Sequence, residues 1–180
     1  MRTLIIILLI GSCFSCEDSS KTQQLQKEIS TLKEQQAETM NTATKNKATV
    51  KAFFNALTAE DVTAAVDLFA ENAVQINPYH SGLFPEGAHG KEGIRNYWTP
   101  VFPNFDGMSF PIEEIYAMED PKMVFVKYTG NIKLKNNAGV YSNDYYSTFK
   151  FDKKGKIIEY VEIFNPIVAA RGFGLLDNIK

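Results

Sequence analysis

In the stretch KIIEYVEIFN, residues of one parity share a face of an extended chain. Ile158, Tyr160, Glu162 and Phe164 make one set; Ile157, Glu159, Val161 and Ile163 make the other. Glu162 therefore stands among aromatic neighbours on its own face. If that face turns inward, the carboxyl is desolvated and its pKa rises. A carboxyl brought toward neutrality suits general acid or base work. Three roles stay open to Glu162: proton transfer, hydrogen bonding to a ligand, and a structural bond to Asn, Tyr or backbone groups. A second polar face lies in YSNDYY, where Tyr141, Asn143 and Tyr145 fall together, opposite Asp144 and Tyr146. Hydroxyls and an amide on one wall could orient a ligand; the same residues also serve plain sheet packing. Parity sets Asp144 apart from this face, so solvent is expected for it rather than pairing with Glu162.

Other chemistries find little support. His80 follows NPY at a strand-to-loop junction, and His89 directly precedes a helix; both read as surface loop positions. Two separated histidines with no nearby cysteine make no metal constellation, so neither a metal nor a cofactor is expected. GFG and GKEG lack the strand, the helix and the Lys-Ser/Thr of a phosphate loop. No nucleophile elbow surrounds any serine. A formal net charge of -2 gives no basic field, which argues against nucleic acid as a partner.

The elements that must position Glu162 follow from periodicity. Val50, Phe53, Phe54 and Leu57 make one helical face, and Val62, Ala65, Val66 and Phe69 a second, with Asp61 in the N-cap region between them. AVQINPYH alternates as a strand that Pro78 ends. GAHGKEGIRNYWTPVF is a Gly-led third helix stopped by Pro100 and Pro103. The period then changes. MSFPIEEIYAME, KMVFVKYTGNIKLK, GVYSNDYYSTFKFD and GKIIEYVEIFN are four strands joined by turn chemistry, with Gly130 marking a bulge or bend. Asn165-Pro166 turns the chain out of the last strand, and IVAARGFG is a short closing helix. Helices followed by a run of antiparallel strands indicate α+β. With 44% hydrophobic and 12% aromatic residues in 180, the chain can build one sizeable core.

The N-terminus reads differently. MRTLIIILLIGSCFSC has one Arg, an apolar run from Leu4 to Ile10, then small residues before Cys, the outline of a signal peptide. IGSC resembles a bacterial lipobox, which implies lipid attachment at Cys13; Cys16 is the alternative acceptor, and an ordinary cleaved signal is the alternative to both. The implied location is the bacterial cell envelope, facing the periplasm or the cell surface, with a membrane contact through a lipid anchor. Residues 1–16 are thus assigned to the signal and 17–45 to a polar, partly helical tether in which Leu25, Ile29 and Leu32 begin a heptad seam. Residues 46–176 form the folded domain, and 177–180 a tail.

From about Asn46 to Gly174 the pattern resembles the nuclear transport factor 2-like fold, and within it the SnoaL-like and phenazine-biosynthesis A/B-like proteins. HGKEGIRNYW is similar to the start of their third helix, FPNFDG to their Phe-Pro-x-aromatic turn, and EDPKMVFVKYTGNIKL to their Asp-Pro strand opening. YSNDYYSTFKFDKKGKIIEYVEIFNP resembles their Tyr-x-Asn-x-aromatic strand, their hairpin and their acid-x-x-Asn ending. The resemblance implies a cone: a curved antiparallel sheet wrapped around three N-terminal helices, with an acid at the position of Glu162. It leaves function open, because this fold hosts isomerases, cyclases, dehydratases, hydrolases and binding proteins. Acid-base relatives lead one to expect a partner on the third helix, but IRNYWTPVF offers Arg95, Asn96, Tyr97 and Trp98 and no His. An acid without a partner favours binding. The expected ligand is a small apolar or aromatic molecule held by Tyr97, Trp98, Tyr128, Tyr145 and Phe164, with Glu162 and Asn143 as polar handles. The alternatives are an isomerase, cyclase or dehydratase using Glu162 as general acid or base, and a structural domain that forms a homodimer through its open sheet face.

Overall fold

The computed structural model describes residues 15–137 and 139–178, in two units, Met1–Thr39 and Met40–Lys180. The apolar N-terminal run and Cys13 lie outside the described residues. Helix α1 spans Ser15–Thr58. In the first unit its residues are good helix formers without Gly or Pro. Leu25, Ile29 and Leu32, the heptad positions, are each more than half exposed, at 51%, 52% and 59%. Among the described residues no helix is long and apolar enough to cross a membrane.

In the second unit the 3–4 spacing of apolar residues produces a buried face on α1. Val50, Phe53, Phe54 and Leu57 are all at most 2% exposed. Buried Asn46 shares this face and donates from Nδ2 to the Pro121 carbonyl at 2.9 Å, tying the helix to a sheet turn. The Phe53 ring meets Phe69, Trp98, Phe149 and Tyr160 edge-on, with centroids 5.3–6.2 Å apart. Helix α2 (Val62–Asp67) is capped by Asp61, whose side chain accepts from the Ala64 N–H at 2.9 Å. Phe69, expected on this helix, instead opens strand β1 (Phe69–Ile76) opposite Ile157. The Ile157 N–H donates to the Leu68 carbonyl at 3.0 Å, so sheet pairing ends the helix at Asp67, two residues early.

Strand β2 (Gly87–His89) returns beside β1 and leads into α3 (Gly90–Trp98), which buries Ile94 and Trp98. The segment expected as one strand, MSFPIEEIYAME, forms two, β3 (Phe105–Ser109) and β4 (Ile112–Ala117). Pro111, which has no N–H for a ladder, separates them. Both lie on the outer edge of β5 (Met123–Leu134), β4 against its first half and β3 against its second. Gly130 makes no bulge toward β6 (Gly139–Phe151), because the register there is continuous. It stands instead where β5 changes its outer partner. β7 (Ile157–Phe164) completes the order β2-β1-β7-β6-β5-β3, with β4 also on β5.

The result is an α+β fold whose helices pack on the inner face of a curled sheet. Among the described residues every strand pairing is antiparallel except β1 with β7, which is parallel, so the sheet is mixed rather than wholly antiparallel. The register of β6 and β7 shifts between Phe151 and Lys150, opposite Ile157 and Glu159. This bulge at Ile158 alters the expected inner face: fully buried Ile157 takes the place of Ile158, while Tyr160 and Glu162 still point inward. Helix α4 (Pro166–Gly172) closes one end. Asn165 caps it, its Oδ1 accepting from Ile167 and Val168 N–H at 3.0 and 3.3 Å.

Candidate functional site

Within the second unit the curled sheet and α3 line a half-open cavity of about 370 Å³. Its walls are mostly apolar and half aromatic, and include Phe84, Trp98, Phe105, Phe110, Phe164 and Phe173. Among the described residues, Glu162 is the one ionisable acid or base that lines it. The rest of the lining comes from the loop after β1, the end of α3, strands β3 and β5–β7, and α4.

Glu162 is 7% exposed. Its Oε1 accepts from the Tyr160 hydroxyl at 2.8 Å and from the Tyr128 hydroxyl at 3.2 Å. These two phenols are 3.1 Å apart, and Ser147 Oγ donates to Tyr128 at 3.4 Å. The register explains the cluster: Ser147 faces Glu162 across β6 and β7, and Tyr160 lies two residues away on the same strand face. Burial pushes the Glu162 carboxyl above its ordinary range, and the two phenol hydrogen bonds pull it partly back. Every phenol near it is pushed up in turn. Burial and then the Glu162 charge raise Tyr97, Tyr128 and Tyr160. Burial leads again for Tyr145 and Tyr141, where Glu162 also contributes. At neutral pH all five therefore remain protonated.

The expected site residues divide in position. Tyr97, Trp98, Tyr145, Glu162 and Phe164 line the cavity. Tyr128 does not: it is 1% exposed and sits behind Glu162, stacked on Tyr145 with centroids 4.9 Å apart. Asn143 also lies behind the wall, its Nδ2 donating to the Tyr141 hydroxyl at 2.8 Å and the Asn165 carbonyl at 2.9 Å. His80 and His89 are not among the lining residues; His80 lies 3.8 Å from Glu86, and His89 occupies the α3 N-cap position without a side-chain cap bond. Arg95 points to Glu92 and Thr63, away from the cavity.

Two buried polar residues behind the cavity wall escaped the sequence reading. Gln75 Oε1 accepts from Trp98 Nε1 at 3.0 Å. Asn77 Nδ2 donates to the Pro85 carbonyl at 3.0 Å and the Tyr97 hydroxyl at 2.9 Å. Both residues are 1% exposed, and Gln75 Nε2 and Asn77 Oδ1 lack protein partners among the described residues. The signal was available. In AVQINP, Gln75 and Asn77 share the inward parity of buried Ala73, the same pattern that singled out Glu162.

Two glycines seat the tyrosines. A Cβ on Gly130 would come within 2.8 Å of Tyr145 Cε2, and one on Gly172 within 2.5 Å of Tyr141 Cδ2. Both rings lie directly over backbone, which fixes how far their hydroxyls reach.

A family model described as a SnoaL-like domain matches residues 50–160. The uncharacterized Bacillus subtilis protein YesE is 25% identical over 135 residues, covering 75% of this chain and 91% of that protein. Among solved structures, a phenazine biosynthesis-related protein from Pseudomonas aeruginosa aligns with a TM-score of 0.67 at 21% identity, over 77% of this chain and 91% of its own. A Bacillus subtilis protein provisionally named an isomerase aligns at 0.66 and 25% identity, over 73% and 94%. The shared architecture is the nuclear transport factor 2-like fold.

Proposed function

We propose that this chain, which belongs to the SnoaL-like domain family, binds a small, largely apolar or aromatic molecule in its cavity and does not transform it. The observation that carries this reading is the pairing of an apolar, aromatic-rich space of about 370 Å³ with a single carboxyl whose two hydrogen-bond partners are phenols held protonated. Apolar walls supply affinity, and a few convergent polar groups supply orientation. Chemistry that assigns the acid and the base to different residues needs a second group that titrates near neutrality. No such group lines the cavity among the described residues. The test is a thermal-shift screen of the full chain against small aromatic compounds, with mass spectrometry of each compound afterwards. Binding by both wild type and Glu162→Gln, with no conversion, supports the reading. Conversion that Glu162→Gln abolishes overturns it.

A second reading rests on the buried carboxyl itself. Burial raises its pKa, as acid-base chemistry requires, and one similar structure is provisionally named an isomerase. An isomerase, cyclase or dehydratase would use Glu162 to move a proton beside a carbonyl group. Two further proposals concern partners. Exposed Tyr116 and Tyr146 on the outer sheet face, at 56% and 44%, support a homodimer through that face, which light scattering on the purified chain tests. The Leu4–Ile10 run before Cys13 and Cys16 supports a lipid anchor in the cell envelope. Mass spectrometry of the mature N-terminus tests it, and an unmodified peptide beginning after Cys16 overturns it.

A further inference from the structure

Residues 19–39 of α1 are all exposed, Leu25, Ile29 and Leu32 among them. A helix standing in water draws little stability from propensity alone and gains most from an apolar face that something covers. The three aliphatic residues step by four and then three, so they share one stripe. With Ile29 at heptad position a, Leu25 and Leu32 are the flanking d positions and Gln36 is the next a. A β-branched residue at a with leucine at d favours two parallel strands, and a polar residue at a single a position fixes their register.

The flanking charges match the same arrangement. Lys21 and Glu28 fall at g, Gln26 and Lys33 at e. In a parallel pair each g residue meets the e residue that begins the partner's next heptad side. Glu28 then faces Lys33 of the second copy, and Lys33 faces Glu28 of that copy. Lys21 meets neutral Gln26, so no like charges oppose each other. Among the described residues no ion pair uses Glu28 or Lys33. Glu34, on the outer side of the helix, is instead engaged within it, accepting from Ser30 Oγ at 3.5 Å. An antiparallel pair fits less well. It sets a against d, so Leu25 meets Gln36, or Leu32 meets Thr22, and one aliphatic layer is lost.

We infer that residues 22–36 of α1 form a parallel two-stranded coiled coil with a second copy of this chain. This interface is separate from the outer sheet face and does not depend on what the cavity binds. The competing occupant of the stripe is an anionic lipid surface. Lys21, Lys27 and Lys33 are balanced by Glu28, Glu34 and Glu38, so this segment has no net charge to draw it there. The seam has three aliphatic layers, so the pairing depends on concentration.

Sedimentation equilibrium and native mass spectrometry on the full chain test the inference. Wild type forms dimers as its concentration rises. Glu28→Lys and Lys33→Glu each turn two attractive contacts into repulsive ones and weaken the dimer about tenfold, an effect that added salt reduces. An equimolar mixture of the two variants recovers wild-type association, as mixed dimers, because opposite charges again meet at both contacts. Gln36→Ile tightens the dimer by about tenfold or more, while Gln24→Ile, on the outer side, leaves it unchanged. All four positions are exposed, so these variants keep the fold. A monomer at every concentration, charge variants that associate like wild type, a mixture as weak as its components, or equal effects of Gln24→Ile and Gln36→Ile overturns the inference. A dimer that ignores these changes but dissociates with Tyr146→Asp belongs to the sheet face and also overturns it. So does a monomeric chain that binds phosphatidylglycerol vesicles and loses that binding with Ile29→Asn.

Discussion

Replacing Tyr160 with Phe removes one oxygen and, with it, the shorter of the two hydrogen bonds to Glu162, the 2.8 Å contact at Oε1. A hydrogen bond to an ionised group contributes about 1.5–3 kcal/mol. Tyr128, at 3.2 Å from the same oxygen and 3.1 Å from the Tyr160 hydroxyl, has one hydrogen to divide between them. In the variant that hydrogen goes wholly to Glu162, so the loss falls at the lower end, about 1.5 kcal/mol. The ratio of ionised to neutral Glu162 at a given pH should fall about tenfold. Carbon-detected NMR titration of the side-chain carboxyls measures it, with the Glu162 signal identified by its disappearance in Glu162→Gln. Wild type should titrate above an ordinary glutamate because burial disfavours the anion, and Tyr160→Phe higher still. A wild-type midpoint at or below the ordinary range, or one that Tyr160→Phe leaves in place, refutes the assigned network.

The same carboxyl gives stability a pH dependence of fixed sign. Its folded-state pKa is raised, so its contribution is present in full below the unfolded value of about 4.3 and is lost as pH rises through the folded value. Urea midpoints should fall over that window more steeply for wild type than for Glu162→Gln, and parallel curves would count against a buried acid. Gly130→Ala would bring a methyl group to 2.8 Å from Tyr145 Cε2. The ring must shift, at a cost of about 1–3 kcal/mol, and an unchanged melting temperature would mean that the ring is not held over the glycine. Trp98→Phe leaves Gln75 Oε1 buried without its donor, and Gln75→Leu leaves Trp98 Nε1 without its acceptor. Each should cost about 1–3 kcal/mol, and the double variant should lose clearly less than the two losses added together, as chemical denaturation would reveal.

Period alone determined much of this molecule. The 3–4 spacing of Val50, Phe53, Phe54 and Leu57 and the alternation in YSNDYY and EYVE specified which side chains enter the core. Local geometry repeats at 3.6 or 2 residues, so it can be read without knowing the neighbours. The inward placement of Glu162 followed from the same parity. Where an element stops depended on its partner. Phe69 left the helix because Ile157 was available beside it, and the Ile158 bulge arose from the register with β6, which nothing inside β7 records. The tertiary structure likewise decided what each polar group does. Tyr128 and Tyr145 lie opposite each other on neighbouring strands, yet one became a buried partner of Glu162 and the other part of the cavity wall. Asn77 and Tyr97 lie 20 residues apart, and their bond exists only because Pro85 holds the amide and α3 packs over β1. A hydrogen bond acts over about 3 Å in space, and sequence spacing does not encode that distance once the chain has turned back on itself.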